Sequence, residues 1–427
     1  MKIGSNDRAR MKSPTFILLL LSLLPAFAEN WPLWRGPTGQ GTSAEKNFPT
    51  HWSKTENVKW RAPLPDRGNS TPVVWNKRIF VTQSIPTENK RAVLCFDRAD
   101  GKILWQSGPT WTTQEMTHDT NPQSSSSGAT DGERVIAFFG SAGLYCYDFD
   151  GKEIWHRDLG EQRHIWGYGS SPIIRGDICY LNFGPGPRQF LIAVDKKTGK
   201  TIWEVNNPGG SSGEEIPGKK AEWIGSWSTP LLIRANNKDQ LLLSWPERLV
   251  SYNPKNGAEL WTCRGLNPLA YTSPLYADGI AVAMGGFGGK DFATKVNGSG
   301  DVTETHRIWD HPKTKQRIGS GAIHDGHIYI HEDPGVAECI ELKTGKTIWE
   351  ERLKGPGPSG VNWSSVMIAD GNCYTINQGG DCFVFKASPT FELVATNTLG
   401  EPSNSSIVPS DGQLFIRTHK ALYCIVK

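Results

Sequence analysis

The chain has 427 residues, with 46 Lys and Arg against 43 Asp and Glu, and eight Cys. No Lys/Arg block occurs along it, which excludes the clustered positive charge that nucleic-acid or anionic-membrane binding depends on. It also lacks a Cys-x-x-Cys, a Cys-x-x-Cys-His and an adjacent Cys pair, which argues against a zinc site, an attached haem and a vicinal disulfide.

The first element in chain order is a leader. Lys2, Arg8, Arg10 and Lys12 precede an apolar run from Phe16 to Leu24, and Ala26-Phe27-Ala28 supplies a small-x-small cleavage site. This is the pattern of a secretory signal peptide over residues 1–28, with an apolar run too short to span a bilayer. Residues 29–427 are then expected to be a single exported domain, periplasmic or extracellular, with no transmembrane segment. Removing the leader deletes four basic residues and Asp7, so the formal +3 becomes neutral.

The mature chain repeats one phrase. Gly101-Lys102-Ile103-Leu104-Trp105, Gly151-Lys152-Glu153-Ile154-Trp155, Gly199-Lys200-Thr201-Ile202-Trp203, Gly257-Ala258-Glu259-Leu260-Trp261 and Gly345-Lys346-Thr347-Ile348-Trp349 are copies of one unit. Each copy opens on hydroxyl residues, at Ser70-Thr71-Pro72, Ser125-Ser126-Ser127, Ser170-Ser171-Pro172, Ser228-Thr229-Pro230, Thr272-Ser273-Pro274, Ser320-Gly321-Ala322, Ser364-Ser365-Val366 and Ser405-Ser406-Ile407. These eight starts recur about every 48 residues. Short apolar runs such as Arg78-Ile79-Phe80-Val81 and Leu191-Ile192-Ala193-Val194, bounded by Gly, Asp, Asn and Pro, read as antiparallel strands joined by tight turns. Four strands per copy make a blade, and the period is that of a propeller.

One aromatic closes most copies: Trp60, Trp105, Trp155, Trp203, Trp261, Trp309 and Trp349, with Phe391 in the fourth strand of the seventh. These tryptophans are expected to be structural, packed between blades. Trp60 has no start before it, and the eighth copy ends at Tyr423-Cys424-Ile425-Val426 without a fourth strand. The segment around Trp60 is therefore expected to close the last blade, giving an all-β, eight-bladed propeller with no free radial edge, and a monomer is expected. Cys95, Cys146, Cys339 and Cys424 recur at one place in their copies, a position for a small buried residue.

With these residues in view, the unit Ser-x-Pro, strand, Asp-Gly, strand, Leu-x-Ala-x-Asp, Thr-Gly-Lys, strand, Trp resembles the repeat of pyrroloquinoline-quinone-dependent dehydrogenases and of their cofactor-free relatives. Those relatives include the propeller lipoprotein that assists outer-membrane β-barrel assembly. Trp31-Pro32-Leu33-Trp34-Arg35-Gly36-Pro37 and Gly298-Ser299-Gly300-Asp301-Val302-Thr303 are similar to a secreted bacterial subfamily of such propellers. The resemblance implies a propeller fold and admits pyrroloquinoline quinone with calcium as a cofactor. The dehydrogenases' adjacent Cys pair and cytochrome motif are absent, so no catalytic residue is carried over. Glu29 rather than Cys follows the cleavage site, so no lipid anchor is expected.

Residues just before each first strand should meet at one mouth of the central channel: Asn69, Ser124, Gly169, Trp227, Tyr271, Gly319, Trp363 and Asn404. With His118, Trp166 and Tyr168 from longer loops, they form a candidate ligand site of aromatics and amides over hydroxyls, able to stack on a flat or sugar-like ligand and hydrogen-bond it. The competing reading is that these side chains simply plug the channel. His118 and His164 stand alone in sequence, and His306, His311, His324, His327 and His331 fall on different strands, so no metal site is assigned. Gly209-Gly210-Ser211-Ser212-Gly213 matches a nucleophile motif but lies in a polar loop with no helical pattern after it. Gly285-Gly286-Phe287-Gly288-Gly289-Lys290 reads as a hairpin turn. Three functions stay open: a non-catalytic propeller binding an unidentified protein, small molecule or glycan; a quinoprotein dehydrogenase or its degenerate form; and a carbohydrate-binding or carbohydrate-active protein.

Overall fold

Asp97 shows how the repeat makes a blade. Its carboxylate accepts the Ala99 amide at 2.7 Å, an Asx turn that throws the chain from the third strand into the fourth. Blade 1 is the meander Val73–Trp75, Arg78–Ile85, Lys90–Asp97 and Ile103–Ser107. In the computed structural model, which describes Met1 and residues 30–218, 220–312 and 316–427, eight such antiparallel four-stranded sheets form the propeller. The leader expected over residues 1–28 lies, Met1 apart, outside the described residues. Those residues hold one short α-helix, Thr303–His306. No helix among them is long and apolar enough to cross a membrane.

The ring closes as expected. Val58–Pro63 pairs antiparallel with Ala421–Ile425 and completes the last blade, with Trp60 opposite Cys424. The same register puts Cys95 opposite Trp105, Cys146 opposite Trp155 and Cys339 opposite Trp349. The recurrent Cys is the small residue on which the indole's own strand rests. All eight Cys are buried and unpaired.

Each indole reaches into the following blade. The Nε1 atoms of Trp60, Trp155, Trp203 and Trp309 donate to the carbonyls of Arg98, Lys196, Pro254 and Leu342 at 2.8 to 3.0 Å. Trp105 and Trp349, both half-buried, donate to Phe149 and Ser388 in the same way. The ring faces lie on the turn glycine: a Cβ at Gly101 would stand 2.6 Å from Trp60, and Gly101 has φ +74°. Only glycine meets both demands.

Two copies depart from the pattern. Trp261 is buried but donates to Gln240 Oε1 of its own blade at 2.8 Å, and Gln240 passes the link to the Val296 carbonyl at 3.0 Å. An added strand, Gly300–Asp301, lies parallel to Trp261 and Thr262. In blade 7, Phe391 precedes the fourth strand, Leu393–Thr398, instead of standing in it, and Ala395 takes the tryptophan position opposite Val384. Trp52, from the N-terminal segment, shares the buried cluster with Ala395. Its backbone amide is held by Asn397 Oδ1 at 2.9 Å, so an aromatic from outside the repeat occupies that interface.

Around the axis the opening hydroxyls link neighbouring blades. The amides of Thr71, Ser127, Ser171, Thr229, Ser273, Ser320, Ser365 and Ser406 each donate to the hydroxyl of the next residue in that order, and Ser406 returns to Thr71, at 2.8 to 3.1 Å throughout.

One end of the channel is closed by residues outside the repeats. Trp31 pairs with Val74, Pro32 accepts the Thr130 amide, Gln40 Oε1 accepts the Tyr276 amide at 3.1 Å, and Ser43 donates to the Ile368 carbonyl at 2.8 Å. The segment thus runs from blade 1 to blade 7 beneath the ring. Arg35 is 2% exposed. Its guanidinium donates to the carbonyls of Gln40, Ser320, Gly321 and Val366, and burial lowers its pKa to about 9, which still leaves it charged at neutral pH.

Candidate functional site: a blind axial pit

At the other end, the hydroxyl ring and the loops above it enclose a pit of about 350 Å³. Trp34 lies among its walls with the Arg35 guanidinium 5.7 Å from its ring centroid. Because the Arg35 segment spans the blades on that side, Trp34 is the floor. Thr71, Ser127, Ser171, Ser365 and Ser406 of the hydroxyl ring also line it.

Seven of the eight expected ligand residues meet here: Asn69, His118, Trp166, Trp227, Tyr271, Trp363 and Asn404. Tyr168 does not. It is 2% exposed, stands edge-on to Phe138 at 5.2 Å, and its hydroxyl accepts the Ser124 amide at 3.1 Å. That bond fixes the entry to blade 2, so Tyr168 belongs to the core. Ser124 is itself buried, and Ser125 faces the pit in its place. Ile318, rather than Gly319, lines the wall.

The pit has two unlike sides. On one, Trp227 and Tyr271 lie 4.8 Å apart between ring centroids, Trp166 lies 6.1 Å from Trp227, and Phe287 lies 5.6 Å from Tyr271. His164 backs them, edge-on to Trp227 at 4.8 Å. Burial pulls its imidazole down to about 4, so it is neutral, and its Nδ1 accepts the Trp166 amide at 3.1 Å. Trp227 Nε1 donates to the Gly167 carbonyl at 3.0 Å. The Trp227 indole and the Trp166 backbone are thereby set in place before any ligand arrives.

The opposite side is made of amides. Asn69 and Asn404 both donate to the Thr120 carbonyl, at 2.8 and 3.0 Å. Asn69 Oδ1 faces His419 Nε2 at 3.3 Å, and burial with the nearby Arg417 and Arg67 lowers His419 to about 4. Asn404 Oδ1 is buried without a hydrogen-bond partner, as is the Tyr271 hydroxyl across the pit. Buried polar atoms of this kind are costly unless something satisfies them.

The site's chemistry is limited by what it contains. Among the described residues no Asp, Glu, Lys or Arg lines it, and its one imidazole, that of His118, has its Nδ1 2.7 Å from Thr120 Oγ1. Ser211, in the apparent nucleophile motif, instead pairs its amide with the Ile224 carbonyl at 3.1 Å, and no helix follows it. The His residues between His306 and His331 do not converge, and no group of His, Cys, Asp and Glu suited to a metal exists among the described residues. Pyrroloquinoline quinone is a tricarboxylate that is bound with Ca²⁺, and Ca²⁺ requires oxygen ligands that include carboxylates. The pit's walls do not fit that pair.

Trp34, Phe287 and Ile318 were not legible as site residues, whereas Thr120 and Asn121 lie in the loop over residues 111–121 that was expected on this face. The hairpin expected at Gly285–Lys290 is present between Ile280–Met284 and Asp291–Lys295, and a glycine-framed aromatic at its tip was the available signal for Phe287. Trp34 lies outside the repeat, where no period points to the axis.

The fold has known counterparts. BamB from Moraxella catarrhalis superposes with a TM-score of 0.60 at 11% identity, over 86% of this chain and 98% of that one. Quinohemoprotein alcohol dehydrogenase from Comamonas testosteroni gives 0.66 at 13%, over 93% and 80%, and the computationally designed Ika8 protein gives 0.59 at 12%, over 87% and 99%. At such identities the likeness concerns the fold. A comparison with curated proteins found no match. A family model described as outer membrane protein assembly factor BamB matches residues 50–184, 89–351 and 187–426, and the chain belongs to that family of PQQ-like repeat propellers.

Proposed function

We propose that this is an exported, non-catalytic binding protein whose axial pit receives a neutral polyhydroxylated ligand, of which a sugar is the type. The observation that carries the reading is the pit's composition: closely packed aromatics on one side, amides on the other, hydroxyls below and, among the described residues, no charged side chain. An aromatic face takes the apolar face of a pyranose, while the amides and hydroxyls suit its hydroxyl groups. Export is supported by the basic and apolar leader with its Ala26-Phe27-Ala28 site.

A quinoprotein dehydrogenase is supported by fold likeness alone, and the uncharged walls speak against it. The family's description as an assembly factor supports a protein partner instead. Glycan-array screening of the mature chain and of Trp227→Ala separates these readings. Saturable glycan binding lost in the variant supports the sugar reading. Binding of no glycan, together with recovery of a stoichiometric protein complex, replaces it with the scaffold reading.

A further inference from the structure

A second depression, of about 950 Å³, opens beside the pit, and Phe287 is a wall of both. Its other walls include Ile216, Trp223, Asn267, Pro268 and Leu269. Trp223, Ile216 and Phe287 are 49%, 54% and 43% exposed. Single exposed apolar residues are ordinary, whereas a contiguous set beside a cavity marks a binding groove.

The aromatics form a continuous track. Trp227 leads to Trp166 at 6.1 Å, and Trp166 leads both to Phe287 at 6.4 Å and to Trp223 at 5.7 Å with ring planes 35° apart. These steps are on the scale of one pyranose ring. Exposed as it is, Trp223 is fixed: its Nε1 donates to the Gly213 carbonyl at 3.2 Å. The loop that carries it is tied down by Ser211 to Ile224, Ile165 to Ser212, and Arg163 to Glu214 at 2.8 Å. Phe287 is held likewise, since Gly286 donates to Asn267 Oδ1 and to the Leu269 carbonyl, both at 3.3 Å. Among the described walls of the depression only Glu215 and Lys220 are charged, one of each sign, so the track suits the same neutral chemistry as the pit.

We infer that the protein binds an oligosaccharide by its end: the terminal unit fills the pit, and the following units run over Trp166 and Phe287 to a second subsite on Trp223. The inference rests on the sugar reading of the pit. Its direction follows from the floor, since Trp34 and the segment beneath it leave the chain one way out. A protein partner covering the same rim is an outcome of the test.

The probes are malto-, cello-, xylo-, manno- and chito-oligosaccharides of one to six units, titrated calorimetrically into the full mature chain and into Trp223→Ala. For the series that binds, affinity rises by about tenfold or more between one and three or four units, equivalent to about 1.4 kcal/mol, and then levels off. Trp223→Ala abolishes the dependence on length, with its melting temperature checked to show that the loop still folds. Binding that is independent of length, or length dependence unaltered in Trp223→Ala, overturns the second subsite and leaves the pit reading standing. Failure of every series to bind overturns both.

Discussion

The amide of Ser406 donates to Thr71 Oγ1 at 3.1 Å, joining two residues at opposite ends of the repeat array. It is the last of the eight links around the axis, and with the Val58–Pro63 strand it makes the first and last blades neighbours. Thr71→Val keeps the side-chain shape but leaves a buried amide without its acceptor. The expected cost is about 1 to 3 kcal/mol, read by urea denaturation, with Thr71→Ser recovering most of it. Equal midpoints for all three proteins would show that the ring contributes nothing to stability.

The inter-blade indoles should be costly to remove. Trp203 is 8% exposed and bonded to Pro254 of the next blade, so Trp203→Ala should destabilise by about 3 to 5 kcal/mol. Trp52, 4% exposed beside Ala395, should behave in the same way although it belongs to no repeat. A Trp52→Ala variant that melts like the wild type would mean that blade 7 does not rely on it.

Arg35 anchors the floor. Arg35→Met takes the guanidinium donor from the Gly321 carbonyl and the second donor from the Ser320 carbonyl, which keeps the Val366 amide, an expected loss of about 1 to 3 kcal/mol. Trp34→Ala should keep the fold and deepen the pit, weakening any ligand that rests on the indole. Unaltered ligand affinity in Trp34→Ala would remove that residue from the site.

Acid should weaken the fold through buried imidazoles. Burial lowers His164 and His419 to about 4 and His331 to about 3, below the ordinary value of about 6.5. Between those values the unfolded chain binds more protons than the folded one, so stability falls as pH drops from about 6.5 toward 4. Asp291, raised to about 6 by burial, works in the opposite sense over part of that window. Asp333, which burial also raises, acts in the same sense as Asp291, yet three imidazoles against two carboxyls predict a lower melting temperature at pH 5 than at pH 7. A curve that is flat or rising toward acid contradicts the burial of these side chains.

The fold was almost fully legible because it is periodic. Turn chemistry at residues such as Asp97 and Gly101 is local and recurs in five copies, and the eight hydroxyl starts count the blades. The pit's rim was legible for the same reason: the residue before each first strand is a repeat position, which located Asn69, Trp227, Tyr271, Trp363 and Asn404. What escaped is non-periodic and long-range. Trp34 and Arg35 reach the axis through contacts across almost the whole chain, Trp52 fills a gap that Ala395 leaves in blade 7, and Phe287 rides a hairpin whose tip no local pattern directs inward. Tyr168 was misplaced because sequence put an aromatic in a rim loop, whereas its hydroxyl is needed by the buried Ser124 amide.

The most direct test is a calorimetric titration of the mature protein and Trp227→Ala with the strongest glycan from the array, beside pyrroloquinoline quinone plus Ca²⁺. A neutral aromatic pit predicts saturable glycan binding that weakens at least about tenfold in the variant, a loss of about 1.4 kcal/mol, and no Ca²⁺-dependent quinone binding. Glycan affinity indifferent to Trp227, or quinone binding that saturates only with Ca²⁺, would contradict it.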